Sequence, residues 1–127
     1  MVAACLVVGC GARAPDLLLV QRDGSVPGAR LTLEIADDGT VRCNHGEPRR
    51  MTDQQLLSAR ALARDLERPA SLHVSLPPGR DGVLSYRVRL AEGAVSFTDT
   101  SPGLTPLLLR VQALTRSVAT RTCGLPR

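Results

Sequence analysis

Leu31, Leu33 and Ile35 alternate with Arg30, Thr32 and Glu34, and this period-two pattern confines the segment to a strand with one face in a core. The residues that follow restrict it further. Asp37-Asp38-Gly39 is a turn sequence, and Val41 and Cys43 resume the alternation beyond it. A three-residue loop pairs Ile35 with Val41 and Leu33 with Cys43, keeping the apolar side chains on one face. A two-residue loop would set Val41 beside Ala36 and Cys43 beside Glu34, mixing the faces, so the longer loop with a left-handed Gly39 is expected. Cys43 then points into the core.

The same reasoning extends along the chain. Leu17 to Val20 reads as a buried first strand turned by Asp23-Gly24-Ser25, and Leu84, Tyr86, Val88 and Leu90 alternate as another. A tight turn at Glu92-Gly93 pairs Leu90 with Val95 and Val88 with Phe97, which puts Tyr86 and Phe97, the sole Tyr and Phe, on one face. Leu72 to Leu76 fits a short strand, and the Pro77 to Gly82 loop divides two halves of one domain.

Two helices carry their own start signals. Thr52 and Gln55 have the spacing of a capping box, and Met51 and Leu56 that of a hydrophobic staple. Leu56, Ala59, Ala63 and Leu66 form the inner stripe, Arg60, Arg64 and Glu67 face solvent, and Pro69 stops the helix after about four turns. Thr105 caps the second helix with Pro106 at its first position. Leu104, Leu107, Leu108, Val111, Leu114 and Val118 make its core stripe, with Gly124 beyond its end. The expected fold is α+β, an antiparallel sheet of about five strands with two helices packed on it. Residues 17–127 form this single domain, whose core is aliphatic because aromatic residues are so few.

The strand leading into Arg22-Asp23-Gly24-Ser25-Val26-Pro27-Gly28, the first helix, Tyr86-Arg87-Val88-Arg89-Leu90, the Gly93 turn and the Leu-rich last helix resemble the emfourin family over residues 17–118. That family consists of small inhibitors of thermolysin-like metallopeptidases. The resemblance implies a protein-binding, inhibitory role, and because rigid Pro and Gly can present a preorganised segment to a cleft, Arg22, Asp23, Gly24, Ser25, Val26, Pro27 and Gly28 are the expected partner-binding segment. The N-terminus, the cysteine pair and the Cys-Gly-Leu-Pro ending depart from that family and resemble lipoproteins of high-GC Gram-positive bacteria instead.

Those departures bear on location. Leu6-Val7-Val8-Gly9-Cys10 has the pattern of a lipoprotein cleavage site, in which small Gly9 admits a peptidase and the Cys10 thiol accepts a diacylglyceryl group. Residues 1–9 would be the signal peptide and 10–16 a tether, giving an exported domain lipid-anchored to the outer face of the cell membrane. Nine residues are too few to span a bilayer, which needs about 20. No Lys or Arg precedes the apolar run and the run is short, so a truncated leader or a missed upstream start is expected. The competing reading is that Val2 to Val8 is a buried strand of a cytosolic protein. Removing Cys5 with the leader and assigning Cys10 to lipid leaves Cys43 and Cys123 as one even pair, and in an oxidising compartment these would form a disulfide.

Chemistry beyond binding finds little support. His45 and His73 have no Asp or nucleophile at triad spacing, and no phosphate-loop, Gly-x-Ser-x-Gly, His-Glu-x-x-His or dinucleotide pattern occurs. Cys43-x-His45 supplies at most two metal ligands. Asp37-Asp38 and Asp99 read as turn and capping residues. No catalytic residue, metal or cofactor is therefore assigned. All sixteen cations are Arg, scattered apart from Arg49-Arg50, and few aromatics accompany them, which argues against nucleic acid. A net charge of +4 suits weak attraction to anionic lipid. The sequence thus points to a tethered protein-binding module, with a secreted metallopeptidase or an envelope protein as partner. The alternative is a structural envelope lipoprotein that binds lipid, glycan or a larger assembly.

Overall fold

The computed structural model describes residues 16–126, so the leader, Cys10 and the tether before Asp16 lie outside the described residues. The chain forms one antiparallel sheet with helices on one face. Its strands are β1 (Asp16–Gly24), β2 (Leu31–Ala36), β3 (Thr40–Cys43), β4 (Pro48–Arg50), β5 (Leu84–Leu90) and β6 (Gly93–Thr98). Their spatial order is β4-β3-β2-β1-β5-β6. The helices are α1 (Asp53–Asp65), the short α2 (Glu67–Ser71) and α3 (Pro106–Ser117), the last continuing into a π-helical turn at Val118–Thr122.

β1 lies inside the sheet, flanked by β2 and β5. Pairing on both sides explains why it does not turn at Asp23 but continues to Gly24, opposite Leu84. Its apolar run serves two faces. Leu18 and Val20 are buried, whereas Leu19 stands on the opposite face between Glu34 and Arg89. The β2–β3 hairpin has the expected register, with Ile35 opposite Val41, Leu33 opposite Cys43, and Gly39 at φ +89°. The Asp38 carboxylate accepts from the Thr40 hydroxyl (2.7 Å) and amide (3.0 Å), fixing the turn.

The second hairpin is offset from the expected register by two residues. Leu90 faces Gly93, Val88 faces Val95 and Tyr86 faces Phe97, so the loop is Ala91-Glu92. A shift of two keeps the same residues inward, and Tyr86 and Phe97 share a face as expected, stacked with centroids 5.0 Å apart. Gly93 is a strand residue whose missing side chain admits α2: a Cβ there would collide with the Ala70 carbonyl. Leu72 to Leu76 is not a strand of the sheet. It makes a single parallel bridge, in which the Leu76 amide donates to Ser96 O (2.9 Å) and Ser96 N donates to Val74 O (3.0 Å), shielding the β6 edge. The opposite edge, Pro48-Arg49-Arg50, is exposed and carries the proline and charges that discourage further pairing.

α1 begins as its sequence dictates. Thr52 Oγ1 accepts from Gln55 N (3.1 Å) while Gln55 Oε1 accepts from Thr52 N (3.0 Å). Its buried residues are Gln55, Ala59 and Leu62, with Leu56 and Ala63 at the margin. Pro69 does not end helical structure but divides it. Its ring would clash with the Asp65 carbonyl and it offers no N–H, so the helix breaks at Leu66; in the first turn of α2 that missing N–H has no cost. Thr105 caps α3 through Leu108 N (3.4 Å).

Leu18, Val20, Leu31, Leu33, Ile35, Val41, Val88 and Val95 on the sheet pack against Ala59, Leu62, Leu66, Val111 and Val118 on the helices, forming one core. One ion pair fastens the helices to the sheet and another fastens the two long helices to each other. Arg60 of α1 donates to Asp37 in the β2–β3 turn, and Arg110 of α3 donates to Asp65 of α1, both at 2.9 Å. Among the described residues no helix is long and apolar enough to cross a membrane.

Candidate functional site

At the C-terminal end, the π-helical turn places Cys123 against the sheet. Cys123 N donates to Val118 O and Leu125 N donates to Ala119 O, both at 2.9 Å, while Gly124 adopts φ +67° to close the helix. Cys43 at the end of β3 and Cys123 form a disulfide, their Cα atoms 6.0 Å apart and 80 residues apart in sequence. Cys43 consequently cannot serve as a thiolate ligand beside His45. His45 is exposed and lies 3.8 Å from Glu34, and His73 packs with its ring against Gly93. No group of three or more His, Cys, Asp and Glu side chains is gathered among the described residues.

The segment from Arg22 to Gly28 divides into two parts. Arg22, Asp23 and Gly24 belong to β1, and Arg22 points inward, only 7 % exposed. Its Nε donates to Ala29 O (2.9 Å) and a terminal nitrogen donates to Gly28 O (3.2 Å). Arg22 therefore braces the turn from behind. What faces solvent is Ser25-Val26-Pro27-Gly28, closed by a hydrogen bond from Ala29 N to Val26 O (3.1 Å). Pro27 at the second position and Gly28 at φ +78° at the third make this a type II turn, which needs both residue types. Val26 stands out 44 % exposed, and Pro126 lies against Gly28.

No protein-family model, curated protein or solved structure matches the chain. Its surfaces must speak for themselves.

A second surface is the face of the sheet away from the helices. Arg42, Glu34, Leu19, Arg89 and Ala94 form one row across β3, β2, β1, β5 and β6, and Thr32, Gln21, Arg87 and Ser96 form the next. A hollow of about 610 Å³ opens here, bordered by Gln21, Arg30, Thr32, Ser85, Arg87 and Ser96. Sequence reasoning anticipated the strands but not this bare face, because alternation identifies which side chains point away from the core without telling whether a second layer covers them.

A third feature is a buried polar hub at Gln55. Besides its capping role, its Nε2 donates to Ser117 Oγ (3.0 Å) and its Oε1 accepts from Thr122 Oγ1 (2.9 Å). One side chain thus joins the start of α1 to the end of α3 next to the disulfide. Its Thr-x-x-Gln spacing disclosed the cap but not the partners across the fold.

Proposed function

We propose that this chain is an exported, lipid-anchored, non-catalytic domain that binds protein, acting as an emfourin-like inhibitor of secreted thermolysin-like metallopeptidases. The observation that carries the binding role is the Val26-Pro27-Gly28 turn, held rigid by its own type II geometry and by the Arg22 guanidinium behind it. A preorganised segment loses little conformational entropy on entering a cleft, which favours binding without new contacts. The disulfide supports the export half of the reading, since such bonds persist in oxidising compartments. Lipidation at Cys10 accounts for retention at the membrane.

The test uses the full chain with Cys10→Ser to keep it unlipidated, added at micromolar concentration to a secreted thermolysin-like protease. Hydrolysis of a peptide substrate should slow, and Val26→Asp should relieve the inhibition while leaving the fold intact. Unchanged hydrolysis across several such enzymes, with the domain itself surviving, removes the inhibitory reading.

The bare sheet face favours the second reading, an envelope lipoprotein that holds glycan, lipid or a larger assembly. Its hydroxyl, amide and guanidinium groups suit a polar ligand. Retention of the protein on purified cell wall, lost in Arg87→Ala, would select this alternative over inhibition.

A further inference from the structure

Between β1, β5 and the end of α3 lies a separate hollow of about 230 Å³, walled by Leu84 and Pro126 and presenting Arg22, Tyr86, Arg116 and Thr120. We propose that it is an oxyanion site, taking one carboxylate or phosphate group between the Arg22 and Arg116 guanidinia.

Arg22 is the first reason. It is over nine-tenths buried, yet among the described residues neither it nor Arg116 makes an ion pair. Burying an unpaired cation is costly, and the carbonyls of Gly28 and Ala29 satisfy two of its five N–H groups without cancelling its charge. Arg22 also lies within hydrogen-bonding reach of the Tyr86 phenol oxygen, and its other donors are left for a ligand. Arg116, exposed at the rim, brings a second positive charge to the same hollow, and two guanidinia are ideally suited to an oxyanion, which accepts from both through charge-assisted bonds.

The surrounding groups agree with this polarity. Thr120 already donates its hydroxyl proton to Arg116 O (2.8 Å), so the available donors are the guanidinia and the Tyr86 phenol. Burial pushes the Tyr86 phenol above its ordinary range, while the charges of Arg22 and Arg116 both oppose that rise, which places both cations within electrostatic reach of its oxygen. Among the described residues Asp99 is the carboxylate that acts on Tyr86, and it is engaged by the Val83 amide (3.0 Å). The volume is below the roughly 300–1,000 Å³ of drug-sized sites and matches a single headgroup or acidic side chain.

Tyr86 is also the reporter, because the chain has one Tyr and no Trp. Sodium phosphate and sodium acetate are titrated separately into the full Cys10→Ser chain at pH 7, with sodium chloride holding ionic strength constant. Tyrosine fluorescence should change saturably with at least one anion, and Arg116→Gln should weaken that response about tenfold, or about 1.4 kcal/mol. Tighter phosphate binding assigns a phosphate source and tighter acetate binding a carboxylate source. No saturable response to either anion, or an equal response in Arg116→Gln, overturns the site. Arg116 is exposed, so its replacement leaves folding intact where Arg22→Gln would not. The outcome is independent of whether the protein inhibits a protease.

Discussion

Cys43, which ends β3, and Cys123, which follows the π-helical turn, are covalently joined across 80 residues, so the sheet and the end of the last helix form one closed loop. Chain-entropy arguments value a loop of that length at about 4–5 kcal/mol, through restriction of the unfolded chain. Replacing both cysteines with Ser should lower the free energy of unfolding by about that amount. Denaturant titration of the variant against the intact protein measures it, and a change below about 1 kcal/mol would mean the bond contributes little to holding the domain together.

Gly93 lies against the Ala70 carbonyl of α2 with no room for a Cβ. Gly93→Ala should therefore destabilise by at least about 1–3 kcal/mol, because the obstructing atom is backbone and cannot rotate aside. Gly103 is the useful comparison. It has φ +79° and open space around it, so Gly103→Ala should cost only the left-handed strain of about 1–2 kcal/mol. Thermal unfolding of the two variants side by side should rank Gly93→Ala as the worse.

The hairpins show where sequence reasoning reaches its limit. For β2–β3 the rival loop lengths differed by one residue, which reverses the faces, so Leu33, Ile35, Val41 and Cys43 decided the register on their own. For β5–β6 the rival registers differ by two and leave Tyr86, Val88, Val95 and Phe97 inward in both. Packing of α2 on Gly93 decides instead, and that contact joins distant parts of the chain. Pro48-Arg49-Arg50 has no alternation to betray a strand; it is one because β3 presents a free edge beside it. Arg22 groups with the partner-binding segment in the sequence, but its inward place depends on where Gly28 and Ala29 turn their carbonyls.

Gln55 serves Thr52, Ser117 and Thr122 together. Gln55→Ala removes the N-terminal capping partner and leaves buried polar groups without theirs, so a loss of about 2–3 kcal/mol is expected. A double-mutant cycle with Ser117→Ala should show coupling of at least about 0.5 kcal/mol. Strict additivity would show that the bond between the two helices contributes nothing.

The Tyr86 phenol is held above the usual 10.0 chiefly by burial, with Arg22 and Arg116 pulling the other way. A folded pKa above the unfolded one means the stabilising contribution is present below the unfolded value and is lost as pH rises through the folded value. Tyrosinate absorbance near 295 nm in the folded protein should therefore reach its midpoint above 10.0, and unfolding should bring the midpoint down. A native midpoint at or below 10.0 would mean the ring is more solvated than its packing against Phe97 implies.

The proposed function requires an oxidised domain tethered at the cell surface. Mass spectrometry of proteolysed membrane fractions tests this directly, because both covalent marks can be read in one experiment. The predicted result is an N-terminal diacylated Cys10 together with a bridged peptide containing Cys43 and Cys123. Recovery from the cytosol of an intact Met1 N-terminus with Cys43 and Cys123 as free thiols would contradict it.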